Sequence, residues 1–86
     1  MGRALTLQRS IVPLGDRKRY LERLSTRKAL YAKANCRFWV FEETDLAGAF
    51  IEFIEAPDGE TLSRGLQTAQ DHFVDAARVY EEVEIH

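Results

Sequence analysis

Residues 35–56, NCRFWVFEETDLAGAFIEFIEA, decide the fold of this 86-residue chain. They include four of the five phenylalanines and the single tryptophan. Aromatic and β-branched residues favour strands, and the run TDLAG at 44–48 supplies turn-forming residues between two such arms. The stretch therefore predicts a β-hairpin, against which the rest of the chain must pack.

Neither face of the predicted hairpin is polar. Side chains alternate between the two faces of a strand, and the two sets are Cys36, Phe38, Val40, Ala49, Ile51 and Phe53 on one side and Arg37, Trp39, Phe41, Phe50, Glu52 and Ile54 on the other. In one register Trp39 lies opposite Glu52, and a slip of two residues puts Trp39 opposite Phe50 without changing either face. An apolar second face implies a partner subunit, a ligand cavity, or both.

The residues before the hairpin predict a strand and a helix. Residues 5–14 alternate apolar and polar side chains, as a strand with one buried face does. Residues 17–33 repeat at helical spacing, and their buried stripe contains Tyr20, Leu24, Arg27 and Tyr31. The helix is therefore expected to lay this stripe on the sheet.

A second helix and a last strand are predicted after the hairpin. A turn at 57–61 opens the helix, whose stripe is Leu62, Leu66, Ala69 and Phe73. Gly65 inside this helix costs about 1 kcal/mol relative to alanine, so we expect it to permit close packing on a strand. Residues 78–85 alternate again and predict a strand that buries Val79, Val83 and Ile85.

The order strand, helix, strand, strand, helix, strand predicts one α+β domain over residues 1–86, a ferredoxin-like βαββαβ plait. Such a plait has a four-stranded antiparallel sheet with two helices on one face. The helix-covered face is expected to carry Leu5, Leu7, Ile11, Phe38, Val40, Ile51, Phe53, Val79 and Val83. The open face is expected to carry Thr6, Gln8, Ser10, Trp39, Phe41, Phe50, Glu52, Ile54 and Tyr80. Because aromatic side chains on an open face favour association, we expect a homodimer through it.

Charge is divided unevenly along the chain. Residues 1–37 carry ten basic and two acidic side chains, whereas residues 38–86 carry two basic and twelve acidic ones. We expect the two halves to balance each other within the fold or across a dimer. The acidic half argues against a nucleic-acid partner, because it would repel phosphate.

Several other classes are disfavoured by composition. No apolar run approaches the roughly 18 residues of a membrane span, and the first residues lack the layout of a signal peptide, so a cytoplasmic protein without a membrane partner is expected. The single Cys36 is expected to be a core residue. With only His72 and His86 besides that cysteine, no metal site is predicted, and no cofactor is expected.

In element order, size and aromatic open face, the chain resembles the dimeric α/β-barrel group of ferredoxin-like proteins, above all its antibiotic-biosynthesis-monooxygenase-like members. In that family two plaits set their open sheet faces together, and each subunit holds a cavity for an aromatic or polyketide-like substrate. The resemblance implies a cofactor-independent monooxygenase or cyclase acting on such a molecule. The alternative is a non-catalytic dimeric domain that binds a ligand or has a structural role.

The resemblance also implies candidate site residues. Quinone-forming members use an asparagine and a tryptophan, types that Asn35 and Trp39 offer, and related cyclases use a histidine near the second helix, where His72 stands. Glu52 is expected either to form a salt bridge with Arg37 or Arg9 or to act as a general base. The expected ligand contacts are Phe41, Phe50, Ile54 and Tyr80. The chain departs from haem-degrading members in having Thr6, Gln8 and Ser10, and no asparagine, on its first strand.

The RNA-recognition module has the same order of elements and is the main rival. Residues 49–53 fit the second half of its third-strand signature, with Phe50 on the open face. Residues 46–48, Leu-Ala-Gly, replace the basic residue, glycine and aromatic that the first half requires. The first strand also lacks a stacking aromatic, so this interpretation is rejected.

Overall fold

A four-stranded sheet and two α-helices make up the computed structural model, which describes residues 2–69 and 78–85. The elements are β1 (Ala4–Ile11), a 3-10 turn (Leu14–Asp16), α1 (Arg17–Lys33), β2 (Arg37–Glu42), β3 (Ala49–Ala56), α2 (Gly59–Ala69) and β4 (Tyr80–Glu81). The strands lie in the order β2-β3-β1-β4, and every neighbouring pair is antiparallel. The α+β class and the antiparallel sheet are thus confirmed. His72 and Phe73 lie outside the described residues.

The predicted hairpin is formed by β2 and β3, and its turn is tied to the rest of the fold. Gly48 has a φ of 91°, and a Cβ there would lie 2.5 Å from the Val12 carbonyl oxygen, so only glycine fits. The Val12 N–H donates to the Gly48 carbonyl at 2.8 Å. Glu42 accepts from Arg17 at 2.6 and 2.9 Å and from the Gly48 N–H at 2.9 Å. These bonds, led by that from Arg17, lower the pKa of Glu42 to about 2.

The register of the hairpin differs by one residue from the first predicted register and by three residues from the second. Trp39 lies opposite Phe53, and Glu52 lies opposite Val40. Because Gly48 stays inside the turn, Glu43 bonds to Ala49 instead of pairing with the glycine. A shift of one residue turns a strand over. The predicted placement of three β3 residues on the open face is therefore wrong, since the helix-covered face holds Phe50, Glu52 and Ile54.

Strand β1 is also turned over relative to the prediction. Ala4 and Thr6 face the helices and are fully buried, whereas the half-buried Leu5 and Leu7 lie on the open face. The small side chain of Ala4 leaves room for Leu62 of α2 in the same core cluster. The side of β1 that meets the helices follows from its pairing with β3, because Thr6, Gln8 and Ser10 lie opposite Ile54, Glu52 and Phe50.

Both helices pack on one face of the sheet and enclose the core. The core cluster consists of Ala4, Tyr31, Cys36, Phe38, Ile54, Ala56 and Leu62. The rings of Tyr31 and Phe38 stack with centroids 5.3 Å apart, which joins α1 to β2. Cys36 is buried, as predicted, and burial raises the pKa of its thiol. A Cβ on Gly65 would lie 2.5 Å from the Cys36 Sγ, so the predicted close approach at this glycine is confirmed.

The open face, on the side of the sheet away from α1 and α2, remains apolar and aromatic, although its members differ from the predicted set. It carries Leu5, Leu7, Arg9, Ile11, Arg37, Trp39, Phe41, Ile51, Phe53, Glu55 and Tyr80. The rings of Trp39 and Phe53 stack with centroids 5.7 Å apart, and Phe41 meets Phe53 edge-on at 5.8 Å. The prediction of an aromatic open face therefore holds for β2, while β3 contributes Phe53 in place of Phe50.

The last strand is much shorter than residues 78–85, the predicted range. Only Tyr80 and Glu81 pair, with Leu5 and Ala4. The predicted buried side is exposed, by 46% at Val79, 77% at Val83 and 94% at Ile85. Because β1 begins at Ala4, the residues beyond position 82 have no β1 residue to pair with. The prediction of a buried face there is wrong.

Replacing Gly65 tests the close contact between α2 and Cys36. We expect Gly65→Ala to lower the free energy of unfolding by about 1–3 kcal/mol, because the added methyl group overpacks the core. Gly59→Ala is the matched control, since nothing lies within 4 Å of a Cβ at that position. Urea unfolding measures both variants. A Gly65→Ala protein as stable as Gly59→Ala would contradict the packing described, and Cys36→Ala should rescue Gly65→Ala.

Candidate functional site

A cleft of about 600 Å³ lies between α1 and the strands β1 and β3, on the helix-covered side of the sheet. This volume falls in the range of small-molecule pockets, roughly 300–1,000 Å³. The helix-side cleft is lined by Gln8, Ser10, Ile11, Val12, Tyr20, Arg23, Thr26, Arg27, Leu30, Glu52 and Ala69. Its wall is partly aliphatic, and its polar groups converge from two strands and a helix.

At the floor of the cleft lies a buried carboxylate with two donors. The Tyr20 hydroxyl donates to Glu52 Oε2 at 2.6 Å, and Arg27 donates to Glu52 Oε1 at 2.9 Å. Glu52 is 1% exposed, and a charge at such a position must be paired and hydrogen-bonded. Burial, followed by the bond to Glu52, raises the pKa of Tyr20, so its hydroxyl stays protonated at neutral pH.

Helical spacing explains why Tyr20 and Arg27 meet one carboxylate. They are seven residues apart, which is about two turns of helix, so both point to the same side of α1. Strand β3 runs beneath that side and presents Glu52 between them. The predicted partners, Arg37 and Arg9, are wrong for Glu52, because they lie on the open face opposite Glu55 and Ile51.

Aromatic rings fix the two donors. The Tyr20 ring packs on Phe50 with centroids 4.7 Å apart. The Arg27 guanidinium lies 4.8 Å from the centroid of Phe38, a cation–π contact. Rings on β2 and β3 thus orient the donors that hold Glu52, and the floor of the cleft is built from packed, ordered groups.

Of the four predicted catalytic residues, the structure places only Glu52 in the cleft. Asn35 follows α1 with a φ of 62°, a left-handed conformation that asparagine tolerates and that ends the helix. Trp39 lies on the open face, across the sheet from Glu52. His72 is outside the described residues. The three predicted catalytic residues that the structure describes, Asn35, Trp39 and Glu52, therefore do not meet at one site.

The four predicted ligand contacts are divided between the two faces. Phe41 and Tyr80 lie on the open face and are well exposed. Phe50 and Ile54 are buried beneath the helices, and their predicted exposure on the open face is wrong. The cause is the one-residue difference in hairpin register.

Two charged residues at otherwise apolar positions of the sequence indicate the site. Arg27 falls on the apolar stripe of α1, and Glu52 falls inside an apolar strand. Charged residues are rarely buried unless they are paired, so each of these positions calls for a partner of opposite charge. Matching the two would have placed Glu52 under α1.

Ion pairs join the basic first part of the chain to the acidic second part. Besides the pair at the floor of the cleft, Arg17 binds Glu42 at 2.6 Å, and Arg3 binds Glu55 at 3.0 Å. The expectation that the two halves balance within the fold agrees with these contacts. Arg3 also binds Glu82, which fastens the chain beyond β4 to the start of β1.

Residues 2–69 and 78–85 contain neither a potential metal-ligand cluster nor a membrane-spanning helix. There, no group of three histidine, cysteine, aspartate or glutamate side chains is arranged to hold a metal ion. No helix in that part of the chain has the length and apolar character needed to cross a membrane. Comparisons of the chain with protein-family models, with curated proteins and with solved structures found no significant match.

Breaking the buried pair tests the construction of the cleft floor. We expect Arg27→Met and Glu52→Leu each to lower the free energy of unfolding by about 3–5 kcal/mol, because each removes the opposite charge beside a charged group that folding takes out of water. The double variant Arg27→Met/Glu52→Leu should recover much of that loss. Urea unfolding at neutral pH gives the three values. Costs that simply add in the double variant would show that Arg27 and Glu52 are not coupled.

Proposed function

We propose that the protein is a homodimer of the dimeric α/β-barrel type that binds a small aromatic molecule in the helix-side cleft. The observation that carries the proposal is the floor of this cleft, where Tyr20, Arg27 and Glu52 form one hydrogen-bonded network. An apolar pocket with a few convergent polar groups is the usual form of a small-molecule site. The polar groups orient the ligand, and the aliphatic wall takes up its flat body.

The arrangement of the elements supports a ferredoxin-like plait. The chain runs β-α-β-β-α-β, β1 and β3 are the central strands, and both helices pack on one side. The Cα atoms span 42 × 30 × 19 Å, and the smallest dimension leaves room for two layers only. A two-layer plait has one uncovered sheet face, which is the surface that a dimeric α/β barrel closes.

Association through the open face is supported by the distribution of charge on it. The row Trp39, Phe53 and Leu7 crosses the middle of the face and carries no charge. Arg37 and Glu55 lie in one flanking row, and Arg9 lies in the other. An apolar centre with polar edges is the anatomy of a protein interface. The occupant of this face is a second copy of the chain. In a symmetric dimer, the same central and flanking rows of the two subunits face each other.

The size of the open face suits a dimer. Strands β1 and β3 have eight residues each, β2 has six and β4 has two. With about 3.3 Å per residue along a strand and about 4.8 Å between strands, the footprint is roughly 380 Å² on each subunit, and its accessible area is larger because the side chains protrude. Stable interfaces bury about 800 Å² of accessible surface on each partner.

A second candidate function, an enzyme that needs no cofactor, is favoured by the position of Glu52 in the cleft lining, where the Tyr20 hydroxyl at 2.6 Å can pass a proton between the carboxylate and a ligand. A carboxylate at the floor of a cleft can accept a proton from an acidic C–H group of an aromatic or polyketide-like substrate. The carbanion then reduces O₂, which gives one oxygen atom to carbon while the other leaves as water. Without O₂, the same carbanion can attack a carbonyl group elsewhere in the same substrate molecule and close a ring.

The open-face dimer is tested with a charge at its centre. We expect the wild-type chain to be a dimer at micromolar concentration and Trp39→Glu to be a folded monomer, because the variant buries an unpaired carboxylate in the interface. Leu21→Glu is the matched control, since Leu21 is an exposed apolar residue of α1. Sedimentation velocity separates the species. A wild-type monomer, or dissociation by Leu21→Glu alone, would show that this face is not the interface.

Filling the cleft tests ligand binding. We expect one or more members of a panel of anthrone-like and naphthol-like compounds to bind the wild-type protein, as measured by titration calorimetry. Thr26→Trp should weaken this binding at least tenfold by occupying the cleft. Ser25→Trp, which adds the same ring at an exposed position outside the cleft lining, should not. Failure of every compound would refute the binding site, and oxygen uptake with a bound compound would identify the enzyme.

A further inference from the structure

We propose that the helix-side cleft selects an aromatic monoanion, an aromatic carboxylate whose negative group lies against the guanidinium of Arg23. This inference rests on the proposed ligand-binding function and gives the chemical class of the ligand. It depends on three features of the described residues: the position of Arg23 in the cavity, the charge balance of the cleft, and the shape of its walls.

Arg23 stands where the cleft joins a second cavity of about 200 Å³, which we name the annex. Ile11, Val12, Tyr20 and Arg23 line both cavities. The annex continues past the start of α1, beside Asp16 and Arg19. A ligand with its apolar body in the cleft therefore brings its outer end to Arg23.

Among the described residues that line the cleft, one positive group has no carboxylate beside it. Arg27 is neutralised by Glu52 at 2.9 Å. No carboxylate lies within 4.0 Å of Arg23 among the described residues, where the ion pairs involve other arginines. In the annex, the charges of Asp16 and Arg19 oppose each other. One negative charge on the ligand would thus be matched, whereas a second one would meet the carboxylate of Glu52.

Arg23 acts electrostatically on the interior of the cleft. Its positive charge opposes the effect of burial on the pKa of Tyr20, the residue that donates to Glu52. An anion bound to Arg23 would also lie near the Tyr20 hydroxyl. A planar guanidinium binds a carboxylate through two parallel hydrogen bonds, which gives orientation as well as attraction.

The walls of the cleft favour a flat apolar body. Leu30 of α1 lines the cavity together with Ile11 and Val12, and the three side chains offer aliphatic surface. Apolar surface removed from water contributes roughly 25 cal/mol per Å², so this part of the ligand supplies affinity. Arg23 supplies the preference for a carboxylate over a neutral group of the same shape.

The test compares two probes of one shape, naphthalene-2-carboxylate and naphthalene-2-carboxamide, by titration calorimetry on the full chain. We expect the wild-type protein to bind the carboxylate at least tenfold more tightly than the amide. Arg23→Gln should abolish this preference by lowering the affinity for the carboxylate at least tenfold. Lys28→Gln is the matched control, because it removes the same charge from the same helix at an exposed position outside the cleft lining.

The outcomes separate this inference from the function on which it rests. Equal affinity for the two probes would overturn the selection of an anion while leaving the binding site in place. Loss of the preference in Lys28→Gln as well as Arg23→Gln would assign it to the general charge of α1 and overturn the role of Arg23. Binding of neither probe would count against both proposals. Thermal unfolding of the two variants, both altered at exposed positions, confirms that they are folded.

Discussion

The ion pair between Glu52 and Arg27 is the constraint on which the arrangement of the molecule depends. A carboxylate in the middle of an apolar strand must find a cation, because an unpaired buried charge costs several kcal/mol. Arg27 meets Glu52 at 2.9 Å only when β3 turns this side toward α1. The opposite orientation would move Glu52 to the open face and leave Arg27 over an apolar surface. The pair therefore selects the face of β3 that the helices cover.

This selection gives the two faces of the sheet different properties. On the covered side, the packing of Tyr20 on Phe50 and of Arg27 on Phe38 surrounds Glu52 with ordered groups and leaves the cleft beside it. On the other side, Phe53 joins Trp39 and Phe41 in a continuous aromatic surface. The proposed ligand site and the proposed dimer interface thus lie on opposite sides of the sheet.

Local sequence patterns predict some features of this fold and leave others undetermined. The bounds of α1 and the β2–β3 hairpin followed from periodicity and residue type, and the contact of Gly65 with Cys36 followed from a glycine in a helix. The facing of β1 and β3 did not, because both faces of β3 are apolar and alternation alone cannot distinguish them. A single residue of the turn, Gly48, decides the register. The short β4 depends on where β1 begins, which is information from another part of the chain.

The most direct test of this account is the nuclear Overhauser effect between the ring protons of Tyr20 and Phe50. Their centroids lie 4.7 Å apart beneath α1, so a strong cross-peak is predicted. Were β3 turned over, Phe50 would lie on the open face beside Phe41, and Phe53 would turn toward the helices in its place. A cross-peak between Phe50 and Phe41, with none between Phe50 and Tyr20, would contradict the account.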